Sequence, residues 1–412
     1  MNEEKGKEIY DIGEMPPLGT VPKKMHAWTI REERLGEPIN AFQDEIVDVP
    51  KVEKDELLIY NMAAGLNYNG VWAALGKPRN VIKGHNKYDR ENVDFHICGS
   101  ESSGIVYAVG ENVTKFKVGD HVIIGGNQYD DDDPELLEGV DSILVKSFRI
   151  WGYEANWGAF AQFSRVHENQ LVKKPDSIDW VKAATLGATA VTAYRMLIHY
   201  EENKIKPGDV VLIWGGSGGI GSMAIQLVKY FGGIPVAVVS SEERGKTCIE
   251  LGAKGYINRK NYTHWGLIDQ DYKDMKNQRL WLREALRFRK EIWKIVGEKK
   301  DPAIVFEHSG EDTIPTSLFV CKKGGMVVLC GATSGYIGAA DLRYLWLEQK
   351  RIQGSHAGTI PEFEEVLKIV EEGHLSPIVS NVYDYWDLAK AHQLMHENKA
   401  SIGKNAVKIG ME

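Results

Sequence analysis

The chain has 412 residues, 43% of them apolar and 26% charged, and its formal charge is −8. That length suits two or three domains with a sizeable core, and the acidic balance excludes a global positive field that would recruit nucleic acid or an anionic membrane. No apolar run reaches the roughly 18 residues that a bilayer span needs. The opening MNEEKGKEIYDIGEMPPLG has no apolar signal core, and Cys98, Cys248, Cys321 and Cys330 are scattered without a CxxC pair. These features argue against a disulfide framework and a zinc ribbon and set the expected compartment as cytoplasmic.

Residues 1–24, with Pro16, Pro17 and Pro22, read as a loose leader. From 25 to about 125, β-rich runs such as DELLIYNMAAGLN, GIVYAVG and GDHVIIGG alternate with turns, the pattern of a compact antiparallel barrel. The acidic run Asp130–Asp133 before Pro134 reads as a solvated surface excursion. AATLGATAVTAYRMLIHY, from residue 183, reads as one helix. VVLIW (210–214) is a continuous apolar run suited to a strand buried on both faces, and a helix-compatible segment and a second such run, IPVAVVSS, follow it. AIVFEHSG (303–310) and GMVVLCG (325–331) continue the alternation of a doubly wound parallel sheet. Between them, about 260–299 forms an insertion. Trp281, Ala285, Phe288, Ile292 and Ile295 there have helical apolar spacing, with Arg283, Arg287, Lys290 and Lys294 opposite.

Gly216-Ser217-Gly218-Gly219-Ile220-Gly221 follows a predicted buried strand and opens a predicted helix, the context in which a GxGxxG motif binds a dinucleotide. The first glycine permits a tight turn, the second lets the pyrophosphate approach the backbone, and the third lets helix and strand pack closely. The helix N-terminus then offers free N–H groups to the anion. A site selective for NAD places an acid at the end of the second strand. Here that strand ends in Ser240 and Ser241, with Arg244 and Lys246 nearby. Small hydroxyls and cations suit a 2′-phosphate, so the expected cofactor is NADPH, although Glu242 and Glu243 stand among them. His308 follows a sheet strand, where ligands of this fold gather, and is assigned to the cofactor side.

A barrel leading into such a domain resembles the medium-chain dehydrogenase/reductase superfamily, whose alcohol dehydrogenases hold zinc on a Cys and on the His of a Gly-His-Glu motif. Here those positions read Asn67 and, in Gly99-Ser100-Glu101, Ser100. Neither is a zinc ligand of the usual kind, so no metal is expected. Several stretches resemble one family in particular, the crotonyl-CoA carboxylase/reductases. They are Asn67-Tyr68-Asn69-Gly70-Val71-Trp72, Ile150 to Asn156, Leu212-Ile213-Trp214-Gly215, Val305-Phe306-Glu307-His308, Ser334-Gly335-Tyr336, Arg343-Tyr344-Leu345-Trp346 and Gly354-Ser355-His356.

The resemblance implies an α/β architecture: a Rossmann doubly wound parallel sheet domain (188–351) and a GroES-like β-barrel catalytic domain (25–187 with 352–412). It implies reduction of an α,β-unsaturated acyl-CoA by NADPH with capture of the enolate by CO2. It assigns CO2 to Asn69, Tyr153, Glu154 and His356, and places Arg343 and Tyr344 near the CoA adenine. Spacing alone does not separate Asn67 from Asn69, since residues two apart share a face of a strand. Tyr153 stands where the family carries phenylalanine, and Ala357-Gly358-Thr359 follows His356 where Phe-Ala-Asn is usual. The resemblance also implies a homotetramer of paired dimers. Competing readings are an enoyl-CoA reductase that protonates the enolate, a zinc-free quinone reductase and a non-catalytic NADPH-binding protein.

Overall fold

The structure is a computed structural model describing residues 7–85, 93–266, 275–399 and 402–410. It divides into two compact units. One takes the chain up to Ala188 with Gly358–Glu371 and the chain from Pro377; the other takes Thr189–Ala357 and Glu372–Ser376.

The first unit is built on strands β1 (Lys24–Arg31), β2 (Gln43–Asp48) and β3 (Glu56–Leu66), then helix α1 (Tyr68–Leu75) and strands β4 (Phe95–Ile97), β5 (Ser102–Val109), β6 (His121–Ile124), β7 (Phe163–His167) and β8 (Leu171–Lys173). All eleven residues of β3 are buried because it is the spine of a seven-stranded sheet. It pairs antiparallel with β5, with β7 through Glu56–Tyr60, and with the C-terminal strand Lys404–Lys408 through Ala63–Leu66. Polar groups on this spine are matched in place. Asn61 Nδ2 donates to the Ala161 carbonyl and to Ser164 Oγ, both at 2.8 Å, and its Oδ1 accepts from Ser102 Oγ at 2.7 Å.

From residue 7 onward the leader is docked, contrary to expectation. Gln162 Nε2 donates to the Tyr10 carbonyl at 3.1 Å, Tyr107 Oη donates to the Pro16 carbonyl at 2.7 Å, and Tyr10 is buried. Tyr60 Oη donates to the Glu14 carbonyl at 3.3 Å and Tyr10 Oη accepts the Lys7 N–H at 3.3 Å, so three tyrosines bury apolar rings while each hydroxyl finds a polar partner in the leader. The acidic excursion is likewise tied down. Asp133 caps the short helix Pro134–Leu137, Asp130 accepts from Arg149 Nη2 at 2.8 Å, and Asp131 accepts from Asn169 Nδ2 at 2.7 Å. The helix expected from residue 183 is interrupted before Thr189: residues 184–188 form a turn, and the Ala188 N–H donates to Glu101 Oε2 at 2.8 Å instead of to a helical carbonyl.

The second unit carries helix α2 (Thr189–Ile198) and a six-stranded parallel sheet. Its parts are β9 (Val210–Trp214), α3 (Gly219–Tyr230), β10 (Ile234–Val239), α4 (Glu242–Glu250), β11 (Gly255–Asn258), α5 (Met275–Val296), β12 (Ile304–Glu307), α6 (Ile314–Val320), β13 (Met326–Leu329), α7 (Leu342–Glu348) and β14 (Arg351–Gly354). Strand order is β11-β10-β9-β12-β13-β14. The return to the first unit, expected at residue 352, therefore falls at Gly358, because β14 completes this sheet. The insertion contributes α5, whose Ala285, Phe288 and Ile292 are fully buried; residues 267–274 of it lie outside the described residues. The cations opposite are partly neutralised: Arg287 Nη2 donates to Glu284 at 2.7 Å and Lys294 to Glu291 at 3.1 Å. No helix among the described residues is long and apolar enough to cross a membrane.

Docking of the leader sets an expected outcome. Tyr107→Phe removes one buried hydrogen bond and should lower unfolding stability by about 1 kcal/mol. Tyr10→Ala also loses packing and should cost on the order of 2 kcal/mol in equilibrium urea unfolding. Parent-like midpoints in both variants would show that the leader does not dock.

Candidate active site

β3 ends at Leu66, and the chain turns into α1 through Asn67, whose extended backbone (φ −123°, ψ 156°) makes it the N-cap. Asn69 therefore lies in the first helical turn and not on a strand, and the two side chains part. Asn67 Nδ2 donates to Glu101 Oε1 at 2.8 Å and its Oδ1 accepts from Lys404 Nζ at 2.6 Å. Asn69 Nδ2 donates to Ser100 Oγ at 2.8 Å. Next to it Gly70 leaves no space for a side chain, since a Cβ there would meet His392 Nε2 at 2.4 Å. His392 is fully buried and its Nδ1 pairs with the Leu388 carbonyl at 3.0 Å; burial pushes its pKa down to about 4.

Lys404 and Glu101 form a buried ion pair, with side chains 4% and 0% exposed. The ammonium also donates to the Leu66 carbonyl at 3.0 Å, and the second carboxylate oxygen accepts the Ala188 N–H at 2.8 Å. Every charge here has several partners, which a pair removed from water requires. Zinc does not fit this set. At the two inherited positions the Asn67 amide and the Ser100 hydroxyl are engaged in hydrogen bonds, and an ammonium stands on Asn67 and Glu101, where a second cation would be repelled. Among the described residues no three His, Cys, Asp or Glu side chains group as metal ligands.

The Tyr153–Glu154 corner is held against the same turn. Gly152 has φ +68°, a conformation glycine adopts without strain, and a Cβ there would stand 2.0 Å from the Gly99 carbonyl. The Ala159 N–H donates to that carbonyl at 2.9 Å. Glu154 is two-thirds or more buried and divides its carboxylate: Oε2 accepts the Ile150 N–H at 2.9 Å and Oε1 accepts from Arg79 Nη1 at 2.8 Å. The Tyr153 hydroxyl donates to the Lys77 carbonyl at 3.3 Å.

In the second unit the glycine turn joins β9 to α3. The positive φ falls on Gly215 (+57°), one residue before the motif, and a Cβ there would meet His308 Nε2 at 2.5 Å. That ring nitrogen faces the Trp214 carbonyl at 3.0 Å, and burial lowers the His308 pKa, so a neutral imidazole supports the turn. A Cβ on Gly216 would stand 2.7 Å from Ala237 Cβ, and one on Gly221 2.3 Å from the Gly215 carbonyl; both are close-packing positions. At Gly218 such a Cβ would have one neighbour within 4 Å, the Gly215 carbonyl at 3.3 Å, so its other sides are left clear for a bound pyrophosphate. Gly219, Ile220 and Gly221 form the first turn of α3, whose N–H groups have no partner within the helix.

At the end of β10, Ser240 is half-buried and Ser241 caps α4, accepting the Arg244 N–H at 3.4 Å. The Arg244 guanidinium reaches Ser217 Oγ at 3.2 Å, which brings the second strand's cation to the glycine turn. Lys246 is exposed on α4. Glu242 is drawn to β11, accepting from the Tyr256 hydroxyl and Asn258, and the Tyr256 bond lowers its pKa. These residues fit the 2′-phosphate of NADPH.

Arg343 is the second residue of α7 and is held on the N-cap Asp341, Nη2 donating to Oδ2 at 2.7 Å. Tyr344 packs edge-on against Phe319, with Lys350 Nζ 4.9 Å from its ring centre. His356 lies two residues beyond β14, exposed, after Ser355, whose N–H donates to the Leu329 carbonyl at 2.8 Å. The structure thus groups Asn69 with Ser100, and Glu154 with Tyr153 and the Lys77–Arg79 segment, in the first unit. His356 belongs to the second. Sequence reasoning missed three neighbours: Ser100, read only as a lost ligand; Lys404, one lysine among many; and Arg79, which no motif marked.

This two-unit plan is that of the medium-chain dehydrogenase/reductases. Residues 53–176 match the alcohol dehydrogenase GroES-like domain, and 219–372 match the zinc-binding dehydrogenase domain. The chain is 45% identical over 403 residues to the crotonyl-CoA carboxylase/reductase of Cereibacter sphaeroides, covering 98% of this chain and 92% of that one. The solved crotonyl-CoA carboxylase/reductase AntE in complex with NADP superposes with a TM-score of 0.93 at 47% identity, covering 98% of this chain and 99% of AntE. The 2-octenoyl-CoA carboxylase reductase CinF, solved with NADP and 2-octenoyl-CoA, gives 0.87 at 35% identity, over 95% and 89% of the two chains. The chain belongs to the crotonyl-CoA carboxylase/reductase family.

Two outcomes follow from this geometry. Lys404→Met leaves Glu101 buried without its counter-ion and should cost about 3–5 kcal/mol in chemical unfolding; a loss below about 1 kcal/mol would mean that the pair is solvated. Tyr153→Phe removes only a hydroxyl already engaged by a backbone carbonyl. Its products from an enoyl-CoA should match those of the parent, and a changed product ratio would place the hydroxyl at the reacting carbon.

Proposed function

We propose that this chain reduces an α,β-unsaturated acyl-CoA such as crotonyl-CoA with NADPH and passes the resulting enolate to CO2, forming an alkylmalonyl-CoA. The single observation that carries this reading is the 45% identity to a crotonyl-CoA carboxylase/reductase over 98% of the chain, a span that takes in Asn69, Tyr153, Glu154 and His356. Bound NADPH supplies a hydride to the β-carbon. The electron pair then rests on the thioester enolate, and attack of its α-carbon on CO2 forms the new C–C bond without any proton. Protonation of the same carbon, giving the saturated acyl-CoA, is the competing outcome.

The chain's own residues are assigned as follows. Gly216 to Gly221 with Ser240, Ser241, Arg244 and Lys246 hold NADPH, and His308 supports the turn beneath it. An amide nitrogen carries two hydrogens. One of those on Asn69 goes to Ser100, and the other is the donor we assign to a CO2 oxygen. Donors fixed before the reaction stabilise charge as it develops there, at no cost of reorganisation. Glu154 and His356 are assigned to hold an ordered water toward CO2, with Tyr153 as the adjoining wall. Arg343 and Tyr344 are assigned to the CoA adenine.

The finer points of assembly and location belong to the same reading. A homotetramer of paired dimers is supported by the open edge at β14 and by exposed Tyr336, Ile337, Leu342, Trp346 and Leu347 close to it in sequence. The cytoplasm, a reducing compartment, is supported by four unpaired cysteines, three of them buried.

NADPH oxidation with crotonyl-CoA, with and without saturating bicarbonate and with products resolved by mass, tests the reaction. Ethylmalonyl-CoA is expected at saturating bicarbonate. Butyryl-CoA alone under that condition would overturn the carboxylating reading, and no turnover of any enoyl-CoA would overturn both. Arg244→Ala should raise the KM for NADPH about tenfold or more, the loss of one charge-assisted phosphate contact, and leave the KM for NADH within twofold.

A further inference from the structure

The segment leaving α1 closes on the Tyr153–Glu154 corner from the outside. Arg79 Nη1 donates to Glu154 Oε1 at 2.8 Å, while the Tyr153 hydroxyl reaches back to the Lys77 carbonyl at 3.3 Å. On the other side the Ile150 N–H donates to Glu154 Oε2 at 2.9 Å. Both carboxylate oxygens therefore have a directional partner, and together these fix the plane of the carboxylate and the directions of its remaining lone pairs. The Arg79 side chain is 71% exposed against 22% for Glu154. An ion pair that open to water contributes little to the fold, so stability does not account for it. Its effect lies in where the carboxylate points.

The same helix links this contact to Asn69. Asn69 stands in the first turn of α1, whose eight residues end at Leu75, and Gly76 with φ +64° turns the chain toward Lys77 and Arg79. A helix of that length is about 12 Å long, so one continuous segment carries Asn69 in its first turn and, beyond the Gly76 turn, Arg79. Resting on the assignment of Glu154 to CO2, we propose that Arg79 is a positioning residue for carboxylation. It orients the Glu154 carboxylate, on the same chain segment that carries Asn69.

The test compares the ratio of saturated to carboxylated product at subsaturating bicarbonate in the full-length enzyme. Arg79→Met should raise that ratio by roughly two- to fivefold, the effect of one exposed charged contact. The KM for NADPH and the unfolding midpoint should stay at their parent values, which a general structural defect would not allow. Arg79→Lys should restore most of the parent ratio, and Arg79→Met should add nothing in a Glu154→Gln background. A parent ratio in Arg79→Met alongside a shifted one in Glu154→Gln would overturn the role of Arg79 alone. Parent ratios in both would overturn the assignment of Glu154 on which it rests.

Discussion

A lysine ammonium and a glutamate carboxylate, both shielded from water, meet where four segments of the first unit converge. Lys404 comes from the C-terminal strand and Glu101 from the turn before β5. The ammonium also takes the last carbonyl of β3 and the N-cap side chain of α1, and the carboxylate takes the Ala188 N–H. Isolated, either charge would carry a desolvation cost of several kcal/mol. Satisfied on all sides, the pair fixes where β3 ends and α1 begins. Asn69, in the first turn of that helix, and Ser100, one residue from Glu101, inherit their geometry from it. In zinc-dependent members of the superfamily a metal organises these positions. Here a cation supplied by the protein stands among them.

The second unit solves a comparable problem around an anion. Glu307, at the end of β12, is fully buried with no cationic partner among the described residues, and burial raises its pKa. It is ringed by the Ser309 N–H, the Thr313 hydroxyl and the Ser317 hydroxyl at 2.8, 2.9 and 2.7 Å. Ser317 in turn accepts the Trp214 indole N–H at 2.8 Å, and the Trp214 ring stacks on Phe288 of the insertion helix at 5.7 Å. The ends of β9 and β12 are thereby cross-linked just below the glycine turn. These contacts hold the turn's supporting strands without a cofactor, the kind of preorganisation that lowers the ordering cost of binding.

Much of this was legible in the sequence because it rests on local pattern. Continuous apolar runs gave the parallel strands, and glycine spacing in a strand–turn–helix context gave the dinucleotide site. What was not legible depends on partners distant along the chain. Nothing near residue 404 marks its lysine as the counter-ion of a glutamate 303 positions earlier. The leader reads as loose because its anchors, Tyr60, Tyr107 and Gln162, lie far from it in sequence. The helix expected from residue 183 fails for a tertiary reason, the capture of the Ala188 N–H by the distant Glu101 carboxylate. Asn67 and Asn69 were inseparable by spacing, since their separation depends on where the strand stops, and the buried ion pair decides that.

If Asn69 serves CO2 as proposed, the buried pair does more than stabilise: it holds the turn from which Asn69 projects. The most direct measurement is the ratio of carboxylated to saturated product in the double variant Lys404→Met/Glu101→Met. Replacing both charges by apolar side chains of similar volume avoids an orphaned buried charge and is commonly tolerated by a fold. The account predicts a folded enzyme that still oxidises NADPH with crotonyl-CoA but whose product shifts toward the saturated acyl-CoA. A folded double variant with the parent product ratio would contradict it.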